Sequence, residues 1–445
     1  MINNKLPDHR YQISFSGGSL IYQPLEGLIF DTVKKRSFLI RNKRTFSIIQ
    51  NKPEGEEKSV SDFKPVCLTI YASHQCNMNC TYCYIAGKDA YPDEFVDPAV
   101  VNSAANIVAK NCKNRKLPFV AGFHGGNEPL LQPKKLEDYL SICESVADKY
   151  KLKLISSCTT NGVISENIAL WAANRFTRIA LSWDGPPAYH DSYRRDCSDN
   201  PTCDKVEKTA RIFSDIKKET GGFIVRCTIT SLSVDKMLYM TAYFYKAGVK
   251  IIEYYPVFMN KEQAFSDKLI PEQYTFVYHF LKARRYGLAR GMKVLFAGSR
   301  LHDFHNRYCM ILQDNLTVTP DGYLTNCYHH TQNYSNQDNL YFYGKFDELT
   351  LTMEFNLPGW NSIMKKYDTE LTACVNCFNQ FHCSHGCPDV CPFEDNYNIG
   401  IQPDCIKEKW LGLAAVLERS GYLKDFENEA DFFDFFRNII CRRLD

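Results

Sequence analysis

Three cysteines within eight residues, Cys76-Asn77-Met78-Asn79-Cys80-Thr81-Tyr82-Cys83, constrain this chain more than any other stretch. The spacing C-x3-C-x2-C does not suit a disulfide framework, because three thiols are odd in number and the loop is tight. Nor is it a complete structural zinc site, which takes four tetrahedral ligands; His74 is the nearest residue that would extend it as half of one. Thiolates at this spacing can instead wrap three corners of an iron–sulfur cube. The fourth iron would then lack a protein ligand and be open to a small molecule. The motif stands at the end of an apolar run, Val66–Ser73, rather than between two knuckles, which favours the cube.

Composition bounds what surrounds that motif. At 445 residues the chain is long enough for two or three domains and a large core. A formal net charge of +2 offers no footprint for nucleic acid or an anionic membrane, so neither is expected as a partner. No run approaches the roughly 18 apolar residues of a membrane span, and the first residues lack the apolar core of a signal peptide. The 19 cysteines are grouped by motif in a long chain, so thiolate ligands in a reducing cytoplasm explain them better than disulfides.

Along the chain, residues 1–60 carry short β-like runs (Tyr11–Ser14, Ser19–Gln23, Gly27–Phe30, Ser37–Ile40) separated by turn residues. They read as a small β module, either a cap on the next domain or an edge to which a leader peptide adds a strand. Residues 65–300 repeat a βα pattern. Strands are expected at Val66–Ser73, Pro118–Phe123, Leu152–Thr159, Thr177–Ser182, Phe223–Thr230 and Lys250–Val257. Between them, Leu136, Leu140, Cys143, Ala147 and Tyr150 recur at helical steps, as do Val206, Ala210 and Phe213, and Met237, Met240 and Phe244; these are core-facing stripes. Six such units imply an α/β fold with a parallel sheet under helices, an open sheet or a partial barrel. The loop-like motifs fall at the C-terminal ends of these strands, where a barrel carries its function.

The Cys76/Cys80/Cys83 stretch, with aromatic Tyr82 before the last cysteine, resembles the signature of the radical S-adenosylmethionine (SAM) superfamily. The resemblance implies a partial (β/α)6 barrel, a [4Fe-4S] cluster whose open iron chelates SAM, and cleavage of SAM to a 5′-deoxyadenosyl radical. His124-Gly125-Gly126-Asn127-Glu128-Pro129 resembles the superfamily's GGEP motif with Asn127 inserted. Gly125, Gly126 and Glu128 are thereby expected at the amino group of SAM. Asn161, in the turn Thr159-Thr160-Asn161-Gly162, is expected at the barrel mouth. By position in related peptide maturases, Ser182 and Arg194 would contact SAM, the guanidinium suiting its carboxylate, and Val257 would pack on the adenine. Asp184-Gly185-Pro186 reads by itself as a plain turn.

A second cysteine-rich region spans residues 301–410. Cys309, Cys327, Cys374, Cys377, Cys383, Cys387 and Cys405 are seven thiolates in about a hundred residues, more than one four-coordinate site uses, so two metal centres are needed. The pattern C-x12-G-x4-C, gap, C-x2-C-x5-C-x3-C, gap, C resembles the SPASM domain, which holds two auxiliary [4Fe-4S] clusters. That resemblance places Cys374, Cys377, Cys383 and Cys405 on an outer cluster and Cys309, Cys327 and Cys387 on an inner one. The inner cluster is then open at one iron or takes Cys391 as fourth ligand. The anaerobic sulfatase-maturating enzymes carry an aspartate base directly after the position of Cys327. Here Tyr328 and His329 follow instead, and either could exchange protons; the phenol, with an ordinary pKa near 10, is a poor acceptor at neutral pH. Residues 411–445, aromatic and acidic from Phe426 to Phe436, read as a helical tail docked on the barrel, with a substrate lid as the alternative.

Taken together, the residues predict a radical SAM/SPASM enzyme with three [4Fe-4S] clusters and SAM. It would modify residues of a peptide or protein, a ribosomally made precursor, by hydrogen abstraction followed by cross-linking or oxidation. A flavodoxin or ferredoxin would supply electrons. The rival within the enzyme class is formylglycine formation of the sulfatase-maturating type; the rival outside it is a zinc-rich binding module.

Overall fold

The computed structural model describes residues 9–40, 63–83, 95–125, 128–257, 269–299, 314–328, 341–361, 374, 376–384 and 405–444. Four antiparallel strands open the chain: β1 (Arg10–Phe15), β2 (Gly18–Gln23), β3 (Leu28–Asp31) and β4 (Arg36–Leu39). Tyr11, Ile13, Leu20, Tyr22 and Ile29 alternate inward and are fully buried, the period of two expected of a half-buried sheet.

The six expected strands of the central region all form: β5 (Cys67–Ile70), β6 (Phe119–Phe123), β7 (Leu154–Thr160), β8 (Arg178–Ser182), β9 (Phe223–Ile229) and β10 (Ile251–Pro256). They pair in parallel in chain order. On β9, Phe223, Val225, Cys227 and Ile229 are buried against the helical layer, while Ile224, Arg226 and Thr228 face the other way and are only half-buried. The helices bury the stripes predicted for them: Leu136, Leu140, Cys143 and Ala147 on Pro133–Tyr150, and Val206, Ala210 and Phe213 on Cys203–Ile216. Helix Pro98–Arg115 starts where Asp97 accepts a hydrogen bond from the Ala99 N–H, with proline at its first position, and ends at Lys116 in the left-handed conformation.

The sheet runs past both ends of this set. Strand β11 (Lys293–Leu295) adds in parallel to β10, and β12 (Asn315–Val318) adds in parallel to β5. An antiparallel meander of β13 (Tyr323–Thr325), β14 (Phe342–Asp347) and β15 (Thr352–Phe355) continues from β12. The first part of the second cysteine-rich region is thus joined to the central sheet. The added strands occupy edges that would otherwise expose backbone donors and acceptors.

The tail is not helical to its end. Helix Cys405–Ser420 and helix Glu429–Arg437 are followed by β16 (Ile440–Leu444), antiparallel to β1 with Cys441 opposite Ile13. The strand supplies hydrogen-bond partners to the edge of β1. Phe432 and Phe436 are buried, with ring centroids 4.6 Å apart, and pack on Trp410. Phe432 also meets Tyr278 of helix Gln273–Leu288, docking the tail on the barrel's helical layer. Burial of each such aromatic side chain contributes about 1.5–3 kcal/mol.

The turn after β7 depends on one glycine. Gly162 has φ +79°, and a Cβ there would stand 2.5 Å from Leu181 Cδ1. Gly162→Ala is therefore expected to destabilise the fold by about 1–3 kcal/mol, measured by chemical denaturation; an unchanged midpoint would contradict this packing.

Candidate active site

The C-terminal ends of β5 to β10 meet at one mouth, and backbone hydrogen bonds lock the cysteine loop across it. Asn79 N–H donates to Arg195 O at 2.8 Å, Thr81 N–H to Tyr193 O at 3.0 Å and Cys197 N–H to Asn77 O at 3.2 Å. The loop after β5 is thereby bridged to the loop after β8, with Met78 opposite Asp196. From the third side, Glu128 N–H donates to Gln75 O at 2.9 Å. Cys76 is exposed, Cys80 buried and Cys83 half-buried.

Asn161 points at the cysteine loop. Its Nδ2 lies 2.8 Å from Asn77 Oδ1 and 3.7 Å from Cys76 Sγ, while its Oδ1 accepts from Val163 N–H. The amide thus aims an N–H at a thiolate position. Burial pushes the Cys76 thiol up to about 12 and Cys80 to about 11, Arg194 opposing the shift at Cys80. Such thiols ionise when a metal cation offsets the charge. Among the described residues no three ligating groups converge as they would on a single metal ion. The ligands of a cube need no such convergence, since each binds a different iron.

The turn Ser182-Trp183-Asp184-Gly185 organises the far side. Asp184 is 2% exposed. Its carboxylate accepts from the Tyr82 hydroxyl, from Arg194 Nε at 3.0 Å and from Thr228 N–H at 2.8 Å. Its own N–H donates to His190 Nδ1 at 3.2 Å. His190 Nε2 meets Thr202 Oγ1 at 3.1 Å, and that hydroxyl donates to Arg194 O at 2.7 Å. Asp184 is therefore a keystone and not only the plain turn read from the sequence. The signal available there was a carboxylate ten residues before an arginine. Because Arg194 engages Asp184 through Nε, its terminal nitrogens are the donors it presents to a ligand. Ser182 ends β8 half-buried, and Val257, 4% exposed, follows β10 with its N–H donating to Ile229 O.

Glu128 is held by donors of the chain itself. It is 1% exposed and accepts from Thr160 Oγ1 at 2.7 Å, Asn161 N–H at 2.5 Å and Leu130 N–H at 3.1 Å. Three donors of the chain already occupy a carboxylate with about four acceptor positions. Its clear task is to tie β7 to the loop after β6. Burial raises its pKa to about 7 in spite of those bonds. A Cβ at Gly125 would fall 2.0 Å from the Tyr71 ring, so only glycine fits there. Gly126 lies outside the described residues.

Tyr328 packs on His124, ring centroids 4.5 Å apart, with its hydroxyl 2.9 Å from His124 Nε2. Burial, with Arg226 adding to it, lowers the His124 pKa to about 3, so this ring is neutral at physiological pH. His329, Cys309, Cys387 and Cys391 lie outside the described residues. Of the other expected ligands, Cys327, Cys374, Cys377, Cys383 and Cys405 are half-buried. Cys377 N–H donates to Cys374 O, and Cys383 bridges Ser299. Asn379 Nδ2 donates to Glu408 O at 3.0 Å, fastening the 374–384 segment to the helix that begins at Cys405.

His190, fully buried, carries a pH signature. Burial lowers its pKa from 6.5 to about 4, so the unfolded chain takes up a proton that the folded chain refuses. Stability from a neutral His190 is complete above pH 6.5 and is lost as pH falls toward 4. The slope is about 1.4 kcal/mol per pH unit. Glu128 has the opposite slope between pH 4.5 and 7, because its folded pKa is raised. The test is consequently a difference: the stability of the wild type minus that of His190→Gln should decline across this acid window, and a flat difference would contradict a buried neutral ring.

The family model of the radical SAM superfamily matches residues 70–229. The cysteine-type anaerobic sulfatase-maturating enzyme of Clostridium perfringens (strain 13 / Type A) is 27% identical over 226 residues, covering 47% of this chain and 58% of that protein. The enzyme of the same description from Clostridium novyi (strain NT) is 23% identical over 195 residues, covering 42% and 49%. The chain spans about half the length of the curated relatives it matches. The solved structure of native anSMEcpe with bound AdoMet shares the fold, with TM-score 0.60 at 19% identity over 80% of this chain and 97% of that one. The structure of anSMEcpe with bound AdoMet and Kp18Cys peptide also aligns with TM-score 0.60, at 20% identity over the same shares. A radical SAM domain implies a [4Fe-4S] cluster and SAM, which the cysteine loop and its surroundings fit. Residues 70–229 thus match the radical SAM superfamily, and the chain is similar in sequence and fold to the anaerobic sulfatase-maturating enzymes.

Proposed function

We propose that the chain is a radical SAM/SPASM maturase that modifies residues of a peptide or protein, a ribosomally made precursor. The observation that carries this reading is the Cys76–Cys83 loop, bridged by its backbone to the Tyr193–Cys197 segment beside Arg194. Cys76, Cys80 and Cys83 hold the radical cluster, Asn161 donates to the Cys76 sulfur, and Arg194 and Ser182 bind the carboxylate of SAM. Val257 supports the adenine, and Tyr82 braces the loop through Asp184. When bound, cluster and SAM together supply a 5′-deoxyadenosyl radical, the difficult chemistry; the barrel orients the substrate and excludes water.

Two auxiliary clusters follow from the second cysteine region. Cys374, Cys377, Cys383 and Cys405 take the outer one, and Cys309, Cys327 and Cys387 the inner one, with Cys391 or an open iron completing it. Clusters held by these cysteines would offer a site for the electron left after hydrogen abstraction, and a flavodoxin or ferredoxin of a reducing cytoplasm would supply the first. Tyr328 and the neutral His124 form a hydroxyl–imidazole pair able to move a proton within the barrel. Tyr328 follows Cys327 at the position where the sulfatase-maturating enzymes carry an aspartate, and this difference favours cross-linking or another oxidation over formylglycine formation. Homology to those enzymes keeps formylglycine formation as the second reading, distinguished by its aldehyde product.

Replacing Cys76, Cys80 and Cys83 together by alanine should abolish release of 5′-deoxyadenosine from SAM while the auxiliary iron is retained. Continued release from the triple variant would remove these cysteines from the chemistry.

A further inference from the structure

The inner wall of the barrel carries an ion pair that none of the roles above uses. Arg226 of β9 lies in register between Ser182 of β8 and Glu253 of β10. All three occupy the face opposite the fully buried Val225, Cys227, Ile252 and Tyr254. Curvature brings the far wall close: β6 and β9 are separated by two strands, yet the charge of Arg226 bears on His124 and on Tyr328. These residues therefore face one another across the interior.

The pair is only loosely joined. Arg226 Nε lies 3.4 Å from Glu253 Oε2, and that nitrogen is buried without a well-formed hydrogen bond among the described residues. The Arg226 side chain is nevertheless 43% accessible and that of Glu253 16%. A guanidinium and a carboxylate so placed offer donors and acceptors to a third group. Thr228 and Tyr255 are the next inward pair toward the mouth, where Asp184 and Val257 lie, and Ser182 is level with Arg226, so the pair lines the interior beside the group that Ser182 holds.

We propose that Arg226 and Glu253 recognise a carboxamide of the peptide substrate, Arg226 donating to its oxygen and Glu253 accepting from its nitrogen. This rests on the radical maturase reading above. The pair is neutral as a unit and faces a neutral imidazole and a phenol. A charged side chain entering the interior would be desolvated without a counter-charge, whereas an amide satisfies both partners at once. The carboxamide can come from an Asn or Gln side chain or from a peptide bond of the substrate.

The test uses the anaerobically reconstituted full chain with SAM, dithionite and blocked peptides Gly-Gly-X-Gly-Gly, in which X is perdeuterated Asn, Asp, Lys or Ala. Transfer of a deuterium atom from X forms the new C–D bond of 5′-deoxyadenosine and leaves a carbon radical on the peptide, so mass spectrometry of 5′-deoxyadenosine reports which residue sits in the barrel. In the wild type, label from Asn should exceed label from Asp and from Lys by about tenfold. Ala equal to Asn would mean that a peptide-bond amide is read; Ala well below Asn would mean a side-chain amide. Glu253→Gln leaves Arg226 uncompensated and should shift preference to Asp, while Arg226→Met leaves Glu253 uncompensated and should shift it to Lys.

A wild type that prefers Asp or Lys, an order unchanged in both variants, or label from no peptide while 5′-deoxyadenosine still forms would each overturn the proposal. A SAM dissociation constant raised about tenfold in either variant would assign the pair to SAM and overturn it as well. Absence of 5′-deoxyadenosine from the wild type would instead refute the radical reading on which the proposal stands.

Discussion

The carboxylate of Asp184 is 2% exposed and accepts hydrogen bonds from three separate parts of the mouth: Tyr82 of the cysteine loop, Arg194 of the loop after β8, and the backbone of Thr228 on β9. A buried carboxylate is tolerated because it is paired and its lone pairs are filled. Removing one partner leaves the other charged and uncompensated, typically at about 3–5 kcal/mol. The cysteine loop consequently cannot swing away without uncovering this charge. His190 extends the same network to Thr202 and back to the Arg194 carbonyl, so the loop that presents the guanidinium is held at both ends. Chemistry between a cluster and a bound sulfonium compound needs fixed distances, and these contacts hold the ligating loop in one place.

The barrel divides its residues by face. Outward positions of β9 and β10 are Val225, Cys227, Ile229, Ile252 and Tyr254, all fully buried under helices. Inward positions include Arg226, Thr228, Glu253 and Tyr255, a polar lining. Strand β12 continues that lining past β5, where Asn315 and Thr69 exchange hydrogen bonds of 3.0–3.1 Å. Its meander then brings Tyr328 onto His124. Residues 315–328 of the cysteine-rich region are in this way part of the barrel wall.

Much of this was legible because apolar periodicity is strong where helices cover a parallel sheet. The six strands and the stripes at Leu136–Ala147 and Val206–Phe213 come from that pattern, and the spacing of Cys76, Cys80 and Cys83 carries the radical SAM resemblance. Short elements escaped it. Strands β11 and β12 have three and four residues, too few for a period to register. Ile440-Cys441-Arg442-Arg443-Leu444 falls in what the sequence reads as a helical tail and forms a strand where β1 offers an edge. Asp184 resembles any turn aspartate until Tyr82 and Arg194, distant in sequence, are brought to it. Arg226 and Glu253 look like ordinary charged residues; only curvature turns them inward. For Cys309, Cys387, Cys391, Gly126 and His329, outside the described residues, the assignment is what the family resemblance implies.

The central claim is that the thiolates of this chain hold iron–sulfur clusters, one of them open to SAM. The most direct measurement is the iron and acid-labile sulfide content of the protein purified without oxygen, alongside its zinc. Clusters of the cube type predict about four iron atoms each, matched by equal sulfide. Three occupied sites would correspond to about twelve of each per chain. Zinc bound at the cysteines, with neither iron nor sulfide, would contradict the account.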